Sequence, residues 1–195
     1  MVRQWPMLAG MILGLGALYL GLNSSLDPVE SWRLAARWTA RVGFPVFLIA
    51  YSASALARLW PELFTGLARD RRWWGLGFAA SHTVHLVALV MFLRVSGESR
   101  PLPVLLVAGG AYTIMFAMAL TSTPAAMRAL GRNWKRMHTL GIHWLWVVFF
   151  ASYLGRTMKP ESAMVGRMGV TLATTALLLR VAAWMKSQAG RKGAT

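Results

Sequence analysis

Uncharged, hydrophobic stretches recur along the chain at about the length of a membrane-spanning helix. An apolar run of about 20 residues crosses the roughly 30 Å hydrocarbon core of a bilayer as an α-helix. The stretches are Trp5 to Leu22, Val42 to Ala57, Trp74 to Leu93, Pro101 to Met127, Met137 to Gly155 and Ser162 to Trp184. Short segments that hold most of the charges separate them. The pattern predicts an all-α, polytopic membrane protein with a six-transmembrane-helix bundle.

The sixth stretch is the least uniform, because Arg167 and Arg180 lie inside it. Long basic side chains near the ends of a membrane helix extend to the headgroups while their stems stay in the apolar layer. We therefore expect both arginines to reach the membrane surface.

Composition agrees with a membrane protein. Hydrophobic residues make up 56% of the chain and charged residues 14%, with a mean hydropathy of +0.49. These values lie far from those of an ordinary soluble domain. The longest polar tail, Lys186 to Thr195, is short, and neither a G-x-G-x-x-G nor a P-loop pattern occurs. We expect a single transmembrane domain over residues 1-195, without a soluble nucleotide-binding domain.

The net charge of +15 comes from short basic clusters between the spans, which indicate orientation and do not indicate nucleic-acid binding. If sides alternate, one side carries Arg3, Arg58, Arg69, Arg71, Arg72, Arg128, Arg132, Lys135, Arg136, Arg180, Lys186, Arg191 and Lys192. The other carries Arg33, Arg37, Arg41, Arg94, Arg100, Arg156, Lys159 and Arg167. Loops richer in Lys and Arg stay in the cytoplasm, so both termini are predicted to be cytoplasmic.

Local signals between the spans predict where helices start and where chain reverses. Asp27-Pro28 is a helix-start signal, because proline at the first helical position lacks a donor that would be unsatisfied there. Pro45 is expected to bend the second span. Residues Glu62 to Arg72 are read as a loop that returns to the third span. The first stretch, Trp5 to Leu22, is read as a retained helix, with a secretory signal as the alternative.

Small residues cluster in the third and fourth spans, at Gly75, Gly77, Ala79 and in the Gly109 to Ala111 segment. Small residues in membrane helices usually permit close helix packing. The alternative is clearance for a flat macrocycle, and the two readings are compatible.

All four histidines lie in two spans. His82 and His85 are in the third, and His138 and His143 are in the fifth. An ionisable or strongly polar side chain inside the membrane is a functional-site hypothesis, since it needs a partner within the protein. The chain has no cysteine, which excludes disulfides, iron–sulfur clusters and covalent c-type haem. Two facing helices that each supply an imidazole predict a b-type haem.

Depth and azimuth narrow the histidine pairing. At ~1.5 Å per residue, His82 and His85 lie roughly 15 Å and 20 Å beyond Arg72, while His138 and His143 lie roughly 3 Å and 10 Å beyond Arg136. His82 or His85 can thus pair with His143. His138 and His143 differ by about 140° in azimuth, so we do not expect both to face one haem.

Two basic-then-histidine motifs resemble a known family. They are Arg71-Arg72-x-x-Gly75-Leu76 with His85 nine residues later, and Gly131-Arg132-x-Trp134-Lys135-Arg136-Met137-His138. The pattern is similar to the ferric reductase-like transmembrane domain over roughly residues 42-153. It is nearest to the haem-binding membrane subunits of the bacterial methionine sulfoxide reductase system. The resemblance implies haem-associated roles for His85 and His138.

The chain departs from the family at one position. The family has a further histidine ligand thirteen residues after the position of His138, and here that residue is Ala151. We infer that His143 supplies the missing ligand, opposite His85 or His82. The departure leaves open whether one haem or two bind.

The basic and aromatic residues near the histidines can each be interpreted in two ways. Arg71, Arg72, Lys135 and Arg136 are topology determinants, or they contact haem propionates, a flavin phosphate or a partner protein. Aromatic residues after His143 face lipid or a neighbouring helix, or they flank a porphyrin edge; these are Trp144, Trp146, Phe149 and Phe150.

The sequence therefore predicts an electron-transfer subunit of the bacterial inner membrane that carries haem b. The resemblance implies a cytoplasmic flavin reductase or a membrane quinol as donor, with flavin or quinone supplied by or shared with a partner. The expected acceptor lies on the outer face and is a periplasmic oxidoreductase or a metal ion. The alternatives are a self-sufficient ferric reductase and a haem-free proton channel or transporter, in which the imidazoles relay protons.

Overall fold

The computed structural model describes residues 4–192, and the side chains up to Gly190. Six α-helices follow one another: α1 (Trp5–Leu22), α2 (Pro28–Leu59), α3 (Pro61–Ser96), α4 (Leu102–Leu120), α5 (Pro124–Thr157) and α6 (Ala163–Lys192). A single 3-10 turn, Pro160–Ser162, precedes α6, and no strand occurs within this described part. All six helices are long and apolar enough to cross a membrane. The predicted all-α class with six spans is confirmed.

The helix start predicted at Asp27-Pro28 is also confirmed. The Asp27 carboxylate accepts hydrogen bonds from the backbone amides of Val29 at 3.4 Å and Glu30 at 2.9 Å. It thereby satisfies amides that have no partner within the first turn. From Pro28 the helix continues through Pro45 to Leu59, so the segment before the second span belongs to the same helix.

The loop expected over Glu62 to Arg72 is wrong, because α3 already begins at Pro61. Only Trp60 separates α2 from α3, and its carbonyl accepts from the amides of Leu63 at 3.3 Å and Phe64 at 3.1 Å. Proline suits the first helical position since it has no amide hydrogen to satisfy. The charged residues thus form the first turns of a long helix, and the apolar run marks only its later part.

The fourth span is shorter than expected and the fifth helix starts earlier. α4 ends at Leu120, seven residues before the predicted end at Met127, and α5 begins at Pro124. Thr123 caps α5, because its side-chain oxygen accepts from the Ala126 amide at 3.1 Å. Within α5, Gly131 has φ 48° and ψ −119°, which bends the helix. Only glycine adopts such a conformation readily.

The chain forms two compact units. The first comprises Met1–Ala50 with Arg72–Gly109. In it, α1 packs closely through glycines: a Cβ atom on Gly10 would overlap the backbone of Gly77, and one on Gly14 would lie 3.0 Å from Ser81 Cα. Close packing therefore explains Gly77, whereas a Cβ atom on Gly75 or Gly109 would meet nothing within 4 Å.

The second unit comprises Tyr51–Arg71 with Gly110–Thr195. Here α5 and α6 pack tightly, since a Cβ atom on Gly166 would lie 2.6 Å from the Thr157 amide nitrogen and one on Gly169 would overlap the Tyr153 ring. The Trp146 indole donates to the Ala173 carbonyl at 2.9 Å and ties the two helices together.

Candidate functional site: histidines of α3 and α5

The four histidines are half-buried, and each of the two units contains two of them. His82 and His85 lie on α3 within the first unit, and His138 and His143 lie on α5 within the second. Each imidazole has a specific neighbour that sets its orientation. These neighbours distinguish the four rings more sharply than depth along the helix does.

His85 is oriented by a buried threonine of α2. Thr39 is fully buried, and its hydroxyl oxygen lies 3.0 Å from His85 Nδ1 and 2.7 Å from the Ala35 carbonyl. The carbonyl can only accept, so the hydroxyl hydrogen points to Ala35 and the threonine oxygen accepts from Nδ1–H. This bond selects the tautomer whose lone pair is on Nε2, the arrangement found for metal-bound histidines.

Thr39 was missed by the sequence analysis. Threonines in apolar helices commonly bond to a carbonyl of their own helix, as Thr39 also does. Only the packing of α2 against α3 shows that the same oxygen serves a histidine 46 residues away in the chain.

His82 lies beside His85 and against α2. The two ring centres are 4.9 Å apart, and the Phe78 ring is 4.8 Å from His82 on the other side. A Cβ atom on Gly43 would overlap His82 Nδ1 and lie 3.0 Å from its Cε1. The missing side chain of Gly43 therefore makes room for this imidazole.

His143 is oriented by its own helix. Its Nδ1 lies 2.7 Å from the Thr139 carbonyl oxygen, which can only accept, so Nδ1 carries the hydrogen and the lone pair is on Nε2. The Tyr51 ring of α2 meets the imidazole edge-on, with centres 5.8 Å apart and planes at 76°. His143 thus has the tautomer that His85 has.

His138 has the opposite arrangement. Its Nε2 lies 3.2 Å from the Thr121 hydroxyl, which donates to the Ala117 carbonyl at 2.6 Å, so Nε2 is the donor. The Trp134 ring packs on His138 at 4.1 Å between centres, and its indole donates to the Thr121 carbonyl at 2.9 Å. His138 is thereby held by the end of α4, just after the bend at Gly131.

The predicted basic residues differ in their surroundings. Arg71 donates to the Ser54 hydroxyl at 2.6 Å, and Arg72 stacks over the Trp73 ring at 4.9 Å. Lys135 and Arg136 are exposed. Arg71 is exposed too, but its guanidinium is bonded to Ser54, so Lys135 and Arg136 are the more accessible pair for an external anion or partner.

The aromatic residues after His143 are mainly packing residues. Trp146 donates to Ala173 and stacks on Phe150 with centres 5.1 Å apart. Trp144 is 42% exposed, as expected of a lipid-facing side chain. Ala151 is exposed as well, and its methyl group has no lone pair for a metal.

Arg180, expected to reach the headgroups, instead bonds within the protein. Its Nη1 donates to the Tyr51 carbonyl at 2.7 Å, and its guanidinium lies 4.5 Å from the centre of the Tyr51 ring. The same ring contacts His143. Sequence reasoning missed both Arg180 and Tyr51, because a lone arginine late in an apolar run reads as an orientation signal.

Together, the fold and these residues define a multi-pass membrane protein in which two of the apolar helices, α3 and α5, carry oriented imidazoles. The chain is 32% identical to the protein-methionine-sulfoxide reductase heme-binding subunit MsrQ of Cronobacter sakazakii, over 67% of this chain and 72% of the relative. It is 30% identical to MsrQ of Bordetella pertussis, over 99% and 93% respectively, and 30% identical to that of Enterobacter sp., over 64% and 67%.

The chain therefore belongs to the family of MsrQ heme-binding subunits of protein-methionine-sulfoxide reductase. The resemblance inferred from the two basic-then-histidine motifs is confirmed. No family model and no solved structure matches the chain. The bacterial relatives also support a multi-pass bacterial membrane protein.

Proposed function

We propose that the chain is a haem-binding electron-transfer subunit of a methionine sulfoxide reductase system in the bacterial inner membrane. The observation that carries the proposal is the shared tautomer of His85 and His143. Both hold the hydrogen on Nδ1 through a hydrogen bond, at 3.0 Å to Thr39 and 2.7 Å to Thr139. An imidazole so arranged has its Nε2 lone pair directed away from its partner and suited to an axial position on iron.

The donor set fits a b-type haem. Histidine imidazoles are the usual axial ligands where no cysteine attaches the porphyrin covalently, and the chain has no cysteine. When bound, haem supplies a one-electron carrier whose potential depends on its ligands and their surroundings. His85 and His143 would each serve as an iron ligand, with Thr39 fixing the His85 ring and the Thr139 carbonyl fixing the His143 ring.

His82 and His138 take other roles in this proposal. His82 packs beside His85 and over Gly43, where it limits the room around the proposed ligand. His138 donates from Nε2 to Thr121, so ligation through that atom would require the hydrogen bond to break. His143 supplies the imidazole ligand that the family has at the position of Ala151. The haem-to-protein ratio of the purified protein decides between one haem and two.

The names of the relatives support a proposal for the electron acceptor, and the resemblance to the family supports one for the donor. The relatives are subunits of protein-methionine-sulfoxide reductase by name, so we propose a periplasmic oxidoreductase as acceptor. A cytoplasmic flavin reductase or a membrane quinol would donate the electrons. Arg71, Arg72, Lys135 and Arg136 would contact haem propionates or the donor, with the exposed Lys135 and Arg136 best placed for the latter.

Absorption spectra of single alanine variants test the ligand assignment. Protein purified from haem-replete cells should show reduced b-haem bands. The His85→Ala and His143→Ala variants should lose most of the haem, whereas the His82→Ala and His138→Ala variants, which are matched controls on the same helices, should retain it. Full haem retention in the His143→Ala variant would refute the assignment.

A haem-free proton relay is the second candidate, favoured by the 4.9 Å separation of the His82 and His85 rings and by the hydroxyl of Thr39 beside them. Neighbouring imidazoles can pass protons near neutral pH. Colourless wild-type protein from haem-replete cells would favour this function, and reduced b-haem bands would exclude it.

A further inference from the structure

Arg180 is held inside the second unit by two contacts to one residue. Its Nη1 donates to the Tyr51 carbonyl at 2.7 Å, and the guanidinium carbon lies 4.5 Å from the Tyr51 ring centre. The Tyr51 side chain has no exposed surface. A hydrogen bond and a cation–π contact to a buried residue fix the position of the charge much better than a solvated arginine would be fixed.

Tyr51 connects this charge to His143. The Tyr51 ring, which lies against the Arg180 guanidinium, also packs edge-on against the His143 imidazole, with ring centres 5.8 Å apart. Tyr51 and His143 come from α2 and α5, and Arg180 comes from α6. Side chains from three helices thus form a row of contacts from the Arg180 cation through the Tyr51 ring to the His143 imidazole.

The charge of Arg180 is not cancelled by a carboxylate. Among the side chains described, up to Gly190, Arg180 forms no ion pair, and its electrostatic neighbours besides Tyr51 are the cations Arg58 and Arg71. Arg71 is itself tied to Ser54, one turn beyond Tyr51 on α2. A fixed positive charge with cationic neighbours therefore lies against the same Tyr51 ring that contacts His143.

We propose that Arg180 is a positioning residue that raises the reduction potential of an iron held by His143. It would do so by fixing the Tyr51 ring against the imidazole and by keeping a positive charge nearby. This inference rests on the proposed function. Ferric iron carries one more positive charge than ferrous iron, so a nearby cation destabilises the ferric form more and favours reduction.

Potentiometric titration of the purified holoprotein tests the proposal. Relative to wild type, Arg180→Met should lower the ferrous-to-ferric ratio at a fixed potential about tenfold, which is a fall of about 59 mV for a one-electron couple. Arg180→Lys keeps the charge and should restore most of the potential. The haem-to-protein ratio should stay close to that of wild type in both variants.

Arg167→Met is the matched control. Arg167 is an exposed arginine of the same helix α6, so its replacement removes one charge without touching Tyr51. Its potential should stay near the wild-type value. Equal shifts in the Arg167→Met and Arg180→Met variants, or no shift in Arg180→Met, would overturn the proposal. If Arg180→Met does not accumulate, Arg180→Gln can replace it, because an amide still donates to the Tyr51 carbonyl.

The outcomes separate this inference from the proposed function. Wild-type protein without haem would refute the proposed function itself. Haem-containing wild type together with a His143→Ala variant that keeps its haem and potential would overturn the role of Arg180 while leaving a haem protein. Loss of haem in both Arg180→Lys and Arg180→Met, with an unchanged potential in the remaining haem, would show a merely structural role and would also overturn it.

Discussion

At the scale of single residues, Thr39 orients the half-buried imidazole of His85 for its proposed role as an iron ligand. Thr39→Val keeps the shape and removes the oxygen that accepts from Nδ1. Loss of such a partner typically weakens metal binding 10–100-fold, so we expect about tenfold faster haem loss. Transfer of haem from the purified protein to apomyoglobin measures the rate.

Thr83→Val is the control for this variant. Thr83 lies on α3 close to His85, but its hydroxyl bonds to the Ala79 carbonyl of the same helix. Its replacement should leave the rate of haem loss unchanged. A Thr39→Val protein that holds haem as tightly as the Thr83→Val protein would show that the Thr39 hydrogen bond is not needed for ligation.

The residue scale also shows what the sequence could reveal about the site. Histidines in apolar spans are conspicuous because such spans rarely contain them, so all four were identified as candidates. Their hydrogen-bond partners were not, since the hydroxyls of Thr39 and Thr121 and the Thr139 carbonyl are ordinary groups in an apolar helix. Which ring nitrogen carries the hydrogen depends on these partners.

At the scale of helices, the bend in α5 depends on Gly131. Its φ of 48° lies in the left-handed region, where a side chain costs about 1–2 kcal/mol. Gly131→Ala should therefore destabilise the protein by about that amount. The midpoint of thermal unfolding in detergent, followed by size-exclusion chromatography after heating, should fall.

Gly155→Ala in the same helix is the comparison. A Cβ atom at Gly155 would meet nothing within 4 Å, and the residue lies in the regular part of α5. Alanine is a better helix former than glycine by up to about 1 kcal/mol, so this variant should be as stable as wild type or slightly more stable. A Gly131→Ala variant of equal stability would mean that the bend does not require glycine.

Packing of α1 depends on a second kind of glycine. A Cβ atom on Gly10 would overlap the Gly77 backbone, which cannot move as a side-chain end can. Overpacking typically costs 1–3 kcal/mol, so Gly10→Ala should lower the unfolding midpoint by a corresponding amount. A Cβ atom on Gly16 of the same helix would meet nothing within 4 Å, so Gly16→Ala should not lower the unfolding midpoint. Equal midpoints for these two variants would argue against close packing of α1 on α3.

Helix boundaries were predictable only where a specific capping signal was recognised. Asp27-Pro28 gave the start of α2, because a carboxylate before proline caps a helix. Residues Glu62 to Arg72 were predicted to form a loop, although Pro61 just before them is a helix-start signal of the same kind. The end of α4 was missed because hydropathy continues through the turn and cannot show where backbone hydrogen bonds stop.

At the scale of the whole molecule, orientation is governed by the distribution of basic residues. If all six apolar helices cross the membrane, both termini lie on one side of it. Thirteen basic residues fall on that side and eight on the other. Four of the acids, Asp27, Glu30, Glu98 and Glu161, fall on the side poorer in basic residues. The positive-inside bias therefore predicts that the donor meets the side of the termini and the acceptor meets the opposite side.

Because the chain has no cysteine, single introduced cysteines can test this orientation directly. Ser24→Cys and Ser99→Cys place exposed thiols in the α1–α2 and α3–α4 connections. Ala125→Cys places an exposed thiol at the start of α5, and Ala189→Cys places one near the end of α6. A membrane-impermeant maleimide added to spheroplasts should label only the first two, and added to inverted vesicles only the last two. The reverse pattern would place the termini outside and would exchange the faces assigned to donor and acceptor. Labelling of all four thiols from one side, with the membrane intact, would contradict the six-span topology itself.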